Sequence, residues 1–289
     1  MDPARASLVV TADDFGLSRE VNEAVEIGHR RGILTAASLM VAEPWCVDAV
    51  LRARRLPGLA VGLHLTLVEG RAVLPRSEIP DLVGPDGRLR QDLARYGADI
   101  FFRPGVKRQV AAEIRAQFQA FRRTGLALDH VNAHKHYHLH PTVAGLVLRI
   151  GREFGMTSLR VPVEPAAVLA QVEPTRRGLE ARLAGPYAAL LRGRARRAGL
   201  TVADQVFGLA WSGAVDPGRM AGLLRALAPG RTEIYLHPAT AGGFDGAAPG
   251  YRYADELAAL VLPASRAALA ESGAAVSSYS SWAGTGAIS

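Results

Sequence analysis

The chain has 289 residues, a length that admits one or two ordinary domains or a single barrel-sized one. Hydrophobic residues at 49% and charged residues at 21% exclude a largely disordered chain, and Cys46, the only cysteine, excludes an intrachain disulfide scaffold. The 34 basic against 27 acidic residues leave +7, almost all of it arginine beside abundant Ala and Gly, a pattern that codon bias explains as readily as a nucleic-acid partner.

The N-terminus, MDPARASLVV, lacks the charged start and long apolar run of a secretory signal. No window reaches about 18 uninterrupted apolar residues, so a cytoplasmic protein is expected. Ser7 to Thr11 reads as a strand that stops at Asp13 and Asp14. Ser18 then caps a helix carrying Val21, Ala24, Val25 and Gly28 at three and four spacing, which Gly32 ends. A second unit follows, with a strand over Ala37 to Val41 and a helix over Cys46 to Arg55, stopped by Pro57 and Gly58.

From Ala60 to Val68 the period is two, which puts Val61, Leu63, Leu65 and Leu67 on one face and Gly62, His64 and Thr66 on the other. Residues 70 to 100 show no period and read as a long excursion, a lid or a rim. Helix resumes at Pro104 with Val106, Val110, Ile114, Phe118 and Phe121 on one side. Leu128 to Asn132 is a short strand running into HKHYHLHP, and Pro141 opens a helix with Val143, Leu146, Val147 and Ile150. Further strands are expected at Leu159 to Val161, Val202 to Phe207, Glu233 to Leu236 and Ala274 to Tyr279. This βα alternation predicts an α/β protein with a parallel sheet, closed or doubly wound, whose functional loops lie at the strands' C-terminal ends. No linker or repeat divides it. One domain over 1–282 is expected, with a flexible tail over 283–289.

Five of the eight histidines fall between His130 and His140. His134, His136, His138 and His140 share a face if the segment is extended, whereas His134 pairs with His138 on a helix. Adjacent aspartates after a strand make an ordinary turn, but His64 also sits at a strand end. One carboxylate with two imidazoles leaves a divalent ion with open positions, as catalytic rather than structural sites require. A second carboxylate can accept a proton from the water such an ion activates, and His237 in TEIYLHPA can donate one to a leaving group.

The run TADDFGLS, the strand GLHLT, the segment DHVNAHKHYHLHP and the later YLHPA, in this order, resemble the YdjC-like carbohydrate deacetylases from Leu8 to about Trp282. Within that family the likeness is greatest to the hopanoid-biosynthesis-associated deacetylases, HpnK. The resemblance implies an irregular, TIM-like (β/α) barrel that removes the N-acetyl group of an amino sugar with one divalent ion, zinc or magnesium. It implies Asp14, His64 and His134 as metal ligands, Asp13 as general base and His237 as general acid. His136 and His138 are expected to contact the substrate or to support the ligands, and Lys135 stands where some relatives carry another histidine. The subgroup implies an N-acetylglucosamine linked to a hopanoid lipid, with soluble chitooligosaccharides as the alternative substrates.

The stretch Arg176 to Arg197 carries seven arginines and one acidic residue, Glu180. It is a solvated basic face or a membrane surface, in which case Tyr187, Leu190 and Leu191 enter the lipid interface while Arg194, Arg196 and Arg197 meet anionic headgroups. No nucleic-acid motif accompanies it. Two other functions remain open on the residues alone: a non-heme iron oxygenase with the same Asp/His/His ligands, and a non-catalytic metal or surface-binding protein. The oligomeric state is also open, a homodimer included.

Overall fold

β1 (Ala6–Phe15) lies at the centre of a parallel sheet and is buried from Ser7 to its end. Rather than stopping at the aspartates, the strand continues through both. Its register breaks between Ala12 and Phe15, where Asp14 takes a left-handed conformation with φ 62°. The computed structural model describes residues 6–173 and 179–284, with 179–184 as backbone alone. The expected tail therefore lies, from residue 285 on, outside the described residues.

α1 (Arg19–Arg31) starts as expected, with the Ser18 hydroxyl accepting the Val21 N–H at 3.2 Å and Val21, Ala24, Val25 and Gly28 turned inward. β2 (Ala36–Leu39), α2 (Cys46–Arg54) and β3 (Ala60–Leu65) complete the first units. The excursion after β3 is partly regular. Its second half forms α3 (Leu93–Phe102), which escapes a periodicity search because only Tyr96 and Ile100, one turn apart, are fully buried. α4 (Pro104–Arg123) buries Val106, Val110, Ile114, Phe118 and Phe121, as their spacing predicts.

β4 (Val131–Ala133) is shorter than expected and enters a 3-10 turn over His134–Leu139. The histidine run is thus neither extended nor α-helical; Lys135 and His136 both have φ 51°. α5 (Pro141–Glu153), α6 (Ala166–Val172), α7 (Leu179–Arg197), β5 (Gln205–Phe207), α8 (Pro217–Arg225) and β6 (Gly230–Leu236) follow. The chain closes with α9 (Tyr253–Val261), α10 (Pro263–Ser272), β7 (Ala275–Val276) and α11 (Tyr279–Trp282).

The strand order is β4-β3-β2-β1-β6-β5, every pair parallel, with β7 added beside the start of β1. Leu159 to Val161, expected as a strand, lie instead in a looser seam over residues 157–163 that joins the two edges. Arg160 N–H donates to Val131 O at 2.9 Å on the β4 side, and Leu159 N–H donates to Thr201 O at 3.0 Å on the β5 side. The result is an irregular TIM-like α/β barrel in one domain. Parallel closure puts the ends of β1, β3, β4 and β6 on one mouth, which is where such barrels gather their chemistry. Inside the barrel Gly62 leaves room for the His130 ring, because a Cβ there would fall 2.5 Å from its Nε2.

Candidate active site

Asp14, His64 and His134 come from three strand ends and converge. Asp14 Oδ1 is 3.2 Å from His64 Nε2 and 3.1 Å from His134 Nδ1. Burial would push the Asp14 carboxyl up, but His134 and His64 hold it well below the usual carboxylate range. A non-glycine residue at φ 62° is uncommon and is kept only where its surroundings impose it. Here the turn brings the carboxylate onto the two imidazoles.

The donor set fits a divalent ion. Bonds of about 2.0–2.1 Å in a tetrahedral site separate neighbouring ligands by about 3.3 Å, close to both distances from Asp14 Oδ1. The hydrogen-bond network also fixes the tautomer of His64. The Asn132 amide donates through Nδ2 to Asp13 Oδ1 at 3.0 Å and to Ser38 Oγ at 2.8 Å, so its Oδ1 accepts from His64 Nδ1 at 2.7 Å. With Nδ1 committed to Asn132, the buried His64 Nε2 is the ring nitrogen that faces Asp14 and is placed to ligate an ion. The orientation of the His64 ring therefore depends on Asn132.

Asn132→Leu should weaken zinc or magnesium binding about 10–100-fold, the usual cost of losing a ligand's orienting partner. Calorimetric titration of the folded variant checks this, and unchanged affinity would remove Asn132 from the role.

Asp13 is 2% exposed and held from both sides. Asn132 binds Oδ1, while the Arg160 guanidinium donates to Oδ2. Burial alone would raise its pKa, but Arg160 holds the carboxyl well below the usual range. Arg160 is itself fully buried and forks onto Glu233, Nε to Oε2 at 2.9 Å and Nη2 to Oε1 at 2.8 Å. Glu233 also accepts the hydroxyls of Thr11 and Tyr279, both at 2.6 Å. Each buried charge is thus paired and hydrogen-bonded, the condition for keeping it inside.

Beyond Asn132 a polar column runs to the barrel floor. Ser38 Oγ meets His130 Nε2 at 2.9 Å, His130 Nδ1 meets Asp129 Oδ2 at 2.8 Å, and Asp129 Oδ1 accepts the Ser280 N–H at 2.8 Å. The His130 ring stacks on Tyr279, with centroids 5.1 Å apart. The sequence does signal these partners, since Arg160 and Glu233 are charges inside apolar runs, yet their mutual pairing cannot be read from it.

His237 follows β6 and points into the same mouth, between the rings of Tyr235 and Tyr251. Burial pushes its pKa below the ordinary value against the pull of Asp14 and Asp13, and its backbone N–H donates to the buried Glu256. His136 Nε2 bonds the Tyr235 hydroxyl at 2.8 Å, and Tyr235 lies under the Arg160 guanidinium at 4.4 Å. His138, pushed down to about 4 by burial, donates from Nε2 to the Arg160 carbonyl at 2.9 Å. Both brace the layer around Arg160.

The membrane-surface residues of α7 are not all outward. Leu191 is 1% exposed and belongs to the core beside Ala188 and Ala195, a correction forced by the helix period, which turns 188, 191 and 195 inward. The Tyr187 hydroxyl is buried and Arg196 pairs with Asp204, whereas Leu190, Arg194 and Arg197 face outward. Residues 176–178 of the arginine-rich stretch lie outside the described residues. Among the described residues no helix is long and apolar enough to cross a membrane.

Residues 7–271 match the profile described as YdjC-like protein. The chain belongs to that family. Similar curated proteins include a carbohydrate deacetylase of Brevibacillus brevis, 38% identical over 156 residues, covering 54% of this chain and 58% of that protein. Another, from Vibrio vulnificus strain CMCP6, is 36% identical over 147 residues, covering 51% and 56%. The alignments thus span little more than half the length of these relatives. The YdjC-like barrel also superposes on the crystal structure of an Enterococcus faecalis V583 protein named for cellobiose-phosphate cleavage. The TM-score is 0.75 at 24% identity, covering 96% of this chain and 99% of that one, a likeness of fold.

Proposed function

We propose that this YdjC-like protein is a metal-dependent N-deacetylase of N-acetylglucosamine-type sugars, and that its natural substrate is linked to a hopanoid lipid. The observation that carries the reaction is the meeting of Asp14, His64 and His134 beside an ionised Asp13 and a buried His237. When bound there, zinc or magnesium supplies a Lewis acid that polarises the acetamide carbonyl and acidifies a water.

Asp13 accepts the proton of the attacking water. Arg160 keeps it ionised, and each of its oxygens spends one lone pair on Asn132 or Arg160 and retains another. The same guanidinium weakens it as a base, so Asp13 suits a water already made acidic. The carbonyl carbon then loses its bond to nitrogen, and His237 protonates the departing amine, giving acetate and a free amino sugar. A histidine whose pKa is lowered is a stronger acid once protonated, which favours transfer to the more basic amine.

Incubating the zinc- or magnesium-loaded protein with chitooligosaccharides and with a hopanoid-linked N-acetylglucosamine tests this reading. Acetate should appear with a matching primary amine, cease on chelation, and return when the ion is restored. Acetate release that ignores chelation, or none from either substrate, would reject it. Faster turnover of the oligosaccharides would move the natural substrate to soluble sugars.

A further inference from the structure

α3 presents an outward face that an exposed helix does not normally keep. Tyr96 and Ile100 fill its inner side, while Ala94, Ala98, Phe101 and Phe102 are exposed with Arg95. Phe101 is 58% and Phe102 76% exposed, their rings edge to face at 5.0 Å. A lone exposed apolar side chain is ordinary, but two adjacent phenylalanines at a helix end leave a protruding aromatic wedge in water. Basic residues flank it along the chain. Arg95, Lys107 and Arg108 are exposed and make no ion pair among the described residues, whereas the nearby Asp81 and Asp99 are taken up by Arg103, and Asp99 also by Arg90.

The wedge belongs to the mouth of the barrel. α3 packs on the 3-10 turn that begins at His134: the Tyr137 hydroxyl donates to Leu93 O at 3.1 Å, Tyr96 stacks on Tyr137 at 5.6 Å, and Phe101 meets the His140 ring at 6.4 Å.

We infer that the Phe101–Phe102 end of α3 is a membrane-docking wedge that inserts into an anionic lipid surface while Arg95, Lys107 and Arg108 engage the headgroups. Exposed apolar side chains flanked by unpaired cations are complementary to such a surface. They are poorly suited to a second copy of the chain, because a two-fold interface would set the same cations against themselves and a stable dimer needs about 800 Å² from each partner. Docking does not depend on the reaction. Its consequence, that the mouth is held at the bilayer where a lipid-linked sugar presents its headgroup, rests on the deacetylase reading.

The test is co-sedimentation with vesicles of phosphatidylcholine containing phosphatidylglycerol. The native protein should bind, less at raised salt and not to phosphatidylcholine alone. Phe101→Ser with Phe102→Ser, and separately Lys107→Glu with Arg108→Glu, should each reduce binding about tenfold or more. Circular dichroism and turnover of soluble chitooligosaccharide should stay unchanged in both, and Arg194→Glu with Arg197→Glu should leave vesicle binding intact.

Absence of native binding, or full binding by the phenylalanine variant, overturns the proposal. So does loss confined to the Arg194 and Arg197 variant, which would place docking on α7. A fall in soluble turnover would make the wedge a sugar platform, and a native dimer that the phenylalanine variant splits would make it a subunit contact. If no substrate releases acetate, the deacetylase reading fails while the vesicle result still decides the docking.

Discussion

Changing His64 and His134 together to alanine should bring bound zinc or magnesium from about one per chain to near zero and turnover to background. The two imidazoles lie on either side of the Asp14 carboxylate, so their loss leaves one monodentate group where three met. Removing a single oxyanion donor typically costs about 100- to 1,000-fold in rate. Here the stabiliser of the oxyanion and the source of the nucleophile go together, so the loss should exceed about a thousandfold. Elemental analysis after dialysis measures occupancy and circular dichroism confirms folding. Retention of full metal by the folded double variant would sink the assignment of these ligands.

Asp13→Asn should separate catalysis from metal binding. The amide keeps the shape and can still hold Asn132 or Arg160, but it cannot take the water's proton, and loss of a general base costs about 100- to 10,000-fold. Metal content should be unchanged. Removing one partner of a buried ion pair often costs about 3–5 kcal/mol, but Arg160 keeps both of its bonds to Glu233. The fall in stability should therefore be smaller, and denaturant titration measures it. Parallel loss of metal and rate would make Asp13 a ligand, and near-normal turnover would remove it from the mechanism.

The alternation of strand and helix signals predicts a parallel α/β sheet, closed or doubly wound, because parallel strands buried on both faces and amphipathic helices repeat in a simple order; the choice of the barrel came from the family resemblance. The seam at 157–163 was harder, since its pairing is a few bridges rather than a ladder. α3 was missed because only Tyr96 and Ile100 among its residues are fully buried, too few to mark a core-facing stripe. Asp14, His64 and His134 were legible as a resemblance, and the structure brings them together. Arg160, Asn132 and Glu233 were not, because their roles arise from contacts across 68 to 147 residues of chain. The same holds for the 3-10 turn, in which two residues at φ 51° override any regular spacing of the histidines.

α11 is four residues long and lies beyond residue 271, where the family match ends. Yet its Tyr279 hydroxyl satisfies Glu233, its ring covers His130, and the Ser280 N–H anchors Asp129. The Trp282 indole ties the same segment to Ser7 at 2.7 Å, at the start of β1. The C-terminal residues thus act as a keystone: a chain shortened to residue 271 would retain Asp13, Asp14, His64 and His134, but would lose the contacts that cap the column of His130 and Asp129. The closure of the barrel thus extends to Trp282, eleven residues past the point where the profile match ends.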